Sequence, residues 1–272
     1  MTNTHDDASP LILEGVVTEL SGRIIHDGVD LVMKRGEVLG LVGASGSGKS
    51  VLLRCIIGLL PPKAGTVRLF GDDLYQADDR TLAAIKQRWG VLFQANALFS
   101  DFSVLDNIAM PLREHHGLPE ELILSVARMK ALASGLPEDA LWKFPSELSG
   151  GLQKRVGVAR AIVRDPDLIL LDEPTAGLDP IMAAQIDALI GGLASELGLS
   201  VVVVTHDLDT LYTICDRVAV LSDRTILAVA PVRELEHSQD PWLRNYLLGT
   251  RTRAGRIADP KVVHPSPQEI MS

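Results

Sequence analysis

The segment Gly43-Ala44-Ser45-Gly46-Ser47-Gly48-Lys49-Ser50 constrains this chain more than any other. It fits the P-loop pattern, and it is flanked as such a loop must be. An apolar, strand-length run (Val38–Val42) leads in and an apolar, helix-length run (Val51–Leu59) leads out. The glycines let the backbone wrap with its N–H groups pointing inward, and the start of the helix adds a partial positive charge, so the segment is expected to cradle phosphate. Average residue frequencies give the bare pattern about once in a hundred chains of this length, and the strand–loop–helix setting argues further against chance. Gly43, Ser45, Gly46 and Gly48 are expected to line the cradle. Lys49 would reach the β- and γ-phosphates of a nucleotide, and the Ser50 hydroxyl would ligate Mg²⁺.

Around this loop, strand-like and helix-like segments alternate from Leu11 to about Ala230, which predicts an α/β sandwich with a largely parallel central sheet. The expected strands are Leu11–Leu20, Ile24–Met33, Glu37–Val42, Thr66–Phe70, Val91–Phe93, Leu168–Leu171, Val201–Thr205, Arg217–Leu221 and Ile226–Ala230. Helices are expected at Lys49–Leu59 and Thr81–Trp89, and Gly71-Asp72-Asp73 reads as a turn. From about 103 to 164 the pattern is helical throughout, punctuated by Pro111, Gly117-Leu118-Pro119 and Gly135-Leu136-Pro137, the outline of an inserted subdomain. A short helix is expected at Trp242–Leu248. One domain is therefore placed at 9–249, and 250–272 is expected to be extended or partner-bound, having little to bury.

The net charge of −9 argues against a nucleic-acid partner, which calls for a basic face. No apolar run approaches the roughly 18 residues of a membrane-spanning helix, and the polar, acidic start MTNTHDDASP does not read as a secretory signal. Cys55 and Cys215 read as reduced, buried thiols.

Leu168–Leu171 ends in Asp172-Glu173-Pro174-Thr175. Alone, such an ending is often a solvated turn. Beside a P-loop it places Asp172 to hold Mg²⁺ through water, and leaves Glu173, pointing elsewhere, to polarise an attacking water as general base. Val201–Val204 likewise delivers Thr205-His206-Asp207, from which His206 can hydrogen-bond a γ-phosphate. Gln94 follows Val91–Phe93 and can touch Mg²⁺ or water, although a glutamine there is equally ordinary surface.

Leu148-Ser149-Gly150-Gly151-Leu152-Gln153-Lys154-Arg155 resembles the signature of the ATP-binding-cassette (ABC) family and opens a helix upstream of the acidic strand. Ser149 and the N–H groups of Gly150 and Gly151 at a helix N-terminus suit a second phosphate site, which the resemblance assigns to ATP held by an opposite subunit. The resemblance runs from Leu11 to about Gly249. It implies a P-loop NTPase of ABC type, with a mixed central sheet, an N-terminal antiparallel β subdomain and an inserted helical subdomain. It further implies ATP and Mg²⁺ as cofactors. Gly43–Ser50 would be the Walker A loop, Asp172 the Walker B acid, Glu173 the catalytic glutamate, Gln94 the Q-loop glutamine and His206 the switch histidine. Asp179, in Ala176-Gly177-Leu178-Asp179, would be the D-loop aspartate acting between the two sites. One departure is visible: the stretch Thr18–Arg23, where the family carries an aromatic that stacks on adenine, has none, and Leu20 or Arg23 is left to cover the base.

Phe93–Asp101, continuing through Val104–Ile108 to Pro111–His115, resembles the corresponding region of ATPases from bacterial MCE/Mla phospholipid transport systems, and so does Asp240–Gly249. This implies a homodimer docked peripherally on the cytoplasmic side of the inner membrane. Its partners would be multi-spanning permease subunits, with an MCE-domain lipid-binding protein and a small accessory subunit beyond them. An ATPase of a small-solute importer would share every catalytic residue. A soluble ABC ATPase acting on ribosomes or DNA usually fuses two cassettes or inserts long coiled coils, and neither is present. Intact Glu173 and His206 argue against a non-hydrolysing module. Phe99, Trp242 and Tyr246 read either as contacts or as core packing, and His115-His116 as a loop end rather than a zinc pair.

Overall fold

The computed structural model describes residues 9–114, 117–244, 246 and 247. Strands β1 (Leu11–Leu20) and β2 (Arg23–Val32) are joined by Ser21 and Gly22, both at positive φ (52° and 76°), a two-residue turn whose twist matches that of an antiparallel hairpin. On the other side of β1 lie β4 (Ala64–Leu69) and β5 (Asp72–Asp73), giving a four-stranded sheet in the order β2-β1-β4-β5. The turn read at Gly71-Asp72-Asp73 is made by Phe70 and Gly71, and Asp72-Asp73 pairs back onto Arg68 and Leu69.

The second sheet has six strands. They are β3 (Val38–Gly43), β6 (Trp89–Leu92), β7 (Leu168–Asp172), β8 (Ser200–Val204), β9 (Arg217–Ser222) and β10 (Thr225–Ala230), in the order β10-β9-β3-β8-β7-β6. All neighbours are parallel except β9 and β10. β3, β7 and β8 are buried along their whole length, which is why they read as unbroken apolar runs instead of alternating ones. Because β3, β8 and β7 run the same way, the segments that follow Gly43, Val204 and Asp172 emerge together at one edge.

Helix α1 (Lys49–Ile56) is shorter than its apolar run, because the chain turns at Gly58 (φ 77°). α2 (Asp79–Gln87) starts two residues earlier than expected, where the Asp78 carboxylate accepts a hydrogen bond from the Thr81 N–H at 2.8 Å. It also stops short of Trp89, which opens β6 and pairs with Leu168. The helical block comprises α3 (Val104–Arg113), α4 (Glu120–Ala133), short 3₁₀ turns at Glu138–Trp142 and Pro145–Glu147, and α5 (Gly150–Ala161). It has a core of its own that includes Leu105, Ile108, Ala127, Leu141 and Val156. α5 also faces the large sheet, where Val158 and Ala161 pack with Leu92, Ile169 and Leu171. α6 (Pro180–Leu197) and α7 (Leu208–Ile214) follow β7 and β8. Of the two thiols expected to be buried, Cys55 is, whereas Cys215 is half-buried.

Two compact units are present, the first ending at Pro231 and the second starting at Val232. In the second, α8 (Val232–Leu235) precedes a helical stretch within 241–247, where the Trp242 and Tyr246 rings stack with centroids 5.0 Å apart. His115, His116, Leu248 and the tail lie outside the described residues. Among the described residues no helix is long and apolar enough to cross a membrane.

Candidate functional site

The loop after β3 curls back over the first turn of α1. Lys49 Nζ donates to the carbonyls of Gly43 at 2.8 Å and Ala44 at 3.2 Å, closing the loop on itself. Gly48 sits at φ 101°, and a Cβ there would lie 2.6 Å from His26 Nε2. A Cβ at Gly43 would lie 2.5 Å from the Leu221 carbonyl oxygen on β9. Both glycines are therefore required by neighbours behind the loop, on top of the backbone freedom the cradle needs.

Asp172 ends β7, is 8% exposed and takes a hydrogen bond from the Ser50 side chain. Burial, reinforced by the adjacent Glu173, raises its carboxyl above the ordinary range, while Ser50, Lys49 and Arg54 oppose the shift. Lys49 is lowered by burial and held up by Glu173 and Asp172. The structure thus brings Lys49, Ser50, Asp172 and Glu173 into one group, in which Lys49 and Asp172 feel each other and Glu173, and Ser50 bonds Asp172. A hydroxyl beside a buried carboxylate that has the cost of its charge only partly offset is a donor pair of hard oxygens, and it fits Mg²⁺. Among the described residues no group of three or more His, Cys, Asp or Glu forms a self-sufficient metal site. The remaining ligands would come from phosphate and water, as is usual for this ion.

Glu173 adopts φ 52°, the left-handed region, which a side-chain-bearing residue enters only at a cost. Its N–H donates to the Val204 carbonyl at 2.8 Å, and its carboxylate Oε1 lies 2.8 Å from His206 Nδ1. The turn sets the carboxylate against His206, in the segment after β8. His206 itself is exposed.

Other sequence-predicted residues stand apart from this group. Gln94 is exposed, and its recorded contact is through its backbone carbonyl. Ser149 caps α5, accepting from the Leu152 N–H at 3.4 Å, and with Gly150 faces outward. A Cβ at Gly150 would touch Leu178 and one at Gly151 would meet Met182, so the start of α5 rests on the segment leading into α6. Asp179 caps α6, accepting from the N–H groups of Ile181 and Met182 at 3.0 Å each. Leu20 and Arg23 are both exposed at the β1–β2 turn.

Three residues that carry the site's geometry were not singled out by sequence. His26 packs behind the P-loop and bonds Thr18 Oγ1 at 2.7 Å. Asn107 pins the loop 99–103, accepting from the Phe99 N–H at 2.8 Å and donating to the carbonyls of Phe99, Phe102 and Ser103. Lys154 is a buried lysine whose ammonium bonds two carbonyls of this site. It lies in the quoted stretch Leu148–Arg155, but nothing in the pattern tells a buried lysine from a solvated one.

A phosphate-binding loop between strand and helix, an acid at the end of a neighbouring parallel strand, and a helical block opened by a capped Ser-Gly-Gly define an ATPase of cassette type. Residues 26–176 match the ABC transporter family, and the chain belongs to it. It is 41% identical to the "intermembrane phospholipid transport system ATP-binding protein MlaF" of Haemophilus influenzae, over 84% of this chain and 86% of the relative. It is 38% identical to the "probable ribonucleotide transport ATP-binding protein mkl" of Mycobacterium tuberculosis, over 88% of this chain and 66% of the relative. A dimeric, post-hydrolysis structure of the ATP-binding cassette MJ0796 bound to ADP and Pi superposes with a TM-score of 0.74 at 31% identity, covering 81% of this chain and 98% of that one.

Proposed function

We propose that the chain is the ATP-hydrolysing motor of a phospholipid transporter of the bacterial envelope, acting as a homodimer on the cytoplasmic side of the inner membrane. The observation that carries the hydrolytic reading is the convergence of Lys49, Ser50, Asp172 and Glu173 at the ends of β3 and β7, with His206 2.8 Å from Glu173. The phospholipid cargo is supported by the likeness to MlaF, whose identity extends over 84% of the chain.

In this reading the N–H groups of Gly43–Gly48 and the Lys49 ammonium hold the β- and γ-phosphates. Ser50, Asp172 and Gln94 would hold Mg²⁺, which would supply neutralisation of the charge developing on the phosphates. Glu173 takes a proton from the attacking water, and His206, bonded to it, orients the carboxylate and senses the γ-phosphate. Ser149, Gly150 and Gly151 of one protomer cover the nucleotide of the other, and Asp179 lies between the two sites. Closure of the dimer expels water, and hydrolysis reopens it. Multi-spanning permease subunits receive the motion through the loop 94–103, where Phe99 and Phe102 stand exposed on a backbone fixed by Asn107. An MCE-domain lipid-binding protein and a small accessory subunit complete the assembly.

Two measurements test this. Glu173→Gln should lower phosphate release about 10²–10⁴-fold, the usual worth of general-base catalysis, while ATP stays bound and the dimer persists in size-exclusion chromatography. Undiminished turnover would remove Glu173 from its role. The chain, tagged at its N-terminus and purified from native membranes in mild detergent, should bring with it a permease, an MCE-domain protein and enriched phospholipid. A permease with a solute-binding protein and no lipid enrichment would move the cargo to a small solute, the direction in which the name of the mycobacterial relative points.

A further inference from the structure

Lys154 is charged, 4% exposed, and lies one and a half turns into α5, the helix that Ser149 caps. Its ammonium donates to the Gln94 carbonyl at 2.9 Å and to the Glu173 carbonyl at 3.1 Å. These acceptors follow β6 and β7, and Lys154 bridges them because α5 is seated unusually close to the sheet. A Cβ on Gly90 of β6 would lie 1.9 Å from the Ala161 carbonyl oxygen, and a Cβ on Gly157 of α5 would lie 2.3 Å from Leu92 Cδ1. At Gly90 the obstacle is backbone, so only glycine there admits the helix to this depth, whereas at Gly157 it is the tip of Leu92.

The Glu173 peptide is thereby gripped at both ends. Its N–H is bonded to Val204 and its carbonyl to Lys154, and between them the residue is held at φ 52° with its carboxylate 2.8 Å from His206 Nδ1. A left-handed, β-carbon-bearing residue persists only where its surroundings impose it. Burial lowers the Lys154 ammonium from its ordinary range, while the charges of Glu173 and Asp172 hold it up. A buried ammonium between two carbonyls is costly to place and is retained only by partners that satisfy it.

We infer that Lys154 is a positioning residue for hydrolysis: it locks the Glu173 turn in the conformation that aims the carboxylate, and ties that turn to the Gln94 loop and to the helix begun by Ser149. The inference rests on Glu173 being the general base. Lys154 touches neither nucleotide nor water in this scheme, so its loss acts on turnover and leaves nucleotide binding to the P-loop intact.

The test compares the full-length wild type with Lys154→Met, Lys154→Arg and Glu173→Gln for steady-state ATP hydrolysis, ATP affinity and thermal melting. Lys154→Met keeps the length of the side chain and removes the donors. It should lower kcat about 100-fold, the scale expected when a catalytic group is misplaced by about an ångström, with KM and ATP affinity within about threefold of wild type. Lys154→Arg, which restores a charged donor, should recover kcat to within about tenfold of wild type. Should Lys154→Met fail to fold, Lys154→Gln, which keeps an uncharged amide donor group, carries the same comparison with a smaller loss. The inference is overturned if Lys154→Met turns over ATP like wild type, if its defect lies in KM, or if Lys154→Arg is no better than Lys154→Met. An active Glu173→Gln refutes the general-base assignment itself, whereas an inactive Glu173→Gln beside an active Lys154→Met refutes only the role of Lys154.

Discussion

Acidification should destabilise this protein through one residue, His26. The side chain is 0% exposed on β2, and burial pushes its pKa down from 6.5 to about 4. The folded-state value lies below the unfolded one, so the neutral ring is the form that folding favours. Above pH 6.5 both states are neutral and nothing is lost. Below it the unfolded chain takes up a proton that the folded chain refuses, and the penalty grows until about pH 4, where the folded ring titrates as well. Between pH 8 and pH 5 the two pKa values give a loss of about 2 kcal/mol from this group. Urea denaturation of wild type and His26→Phe at both pH values isolates it. The phenyl ring fills comparable space, and the hydrogen bond lost from Thr18 costs the same at either pH and cancels. Wild type should lose about 2 kcal/mol more than His26→Phe on going to pH 5. Equal losses, or an NMR titration placing the His26 pKa near 6.5, would refute the argument. Because the ring packs against Gly48, the same titration should loosen the P-loop, and ATP affinity should fall further over this pH range in wild type than in His26→Phe.

Gly90→Ala would place a methyl 1.9 Å from the Ala161 carbonyl oxygen, and since neither backbone can yield locally it should destabilise the fold by about 3 kcal/mol, the upper end for overpacking, as read from urea midpoints. Asp187, 3% exposed on α6, has its carboxyl raised by burial to about 6, with the Thr210 hydroxyl opposing and Asp207 and Asp209 adding to the rise. Its folded pKa lies above the unfolded value, so its contribution is most favourable below pH 4 and is lost as pH rises through 6. Asp187→Asn should therefore gain about 1.4 kcal/mol on wild type between pH 5 and pH 8, and a constant difference in urea midpoints would contradict this.

Much of this molecule is decided locally and is therefore visible in the chain. The P-loop, the apolar runs of β3, β7 and β8, the caps at Ser149 and Asp179, and the helical punctuation between 103 and 164 depend on neighbours a few residues apart. Strand pairing, by contrast, brings Gly43, Asp172 and Val204 to one edge across more than a hundred residues, and only the sheet order says which loops meet. Pairing also turned Trp89 from the end of a helix into the start of β6, because its partner Leu168 is far away in sequence. Lys154 and His26 show the limit most plainly. A lysine in a signature helix and a histidine on an amphipathic strand carry no local mark of burial. One becomes a clamp on Glu173 and the other a wall behind Gly48 only because Gly90 admits a helix, and Gly48 admits a ring, at distances that a β-carbon would not tolerate.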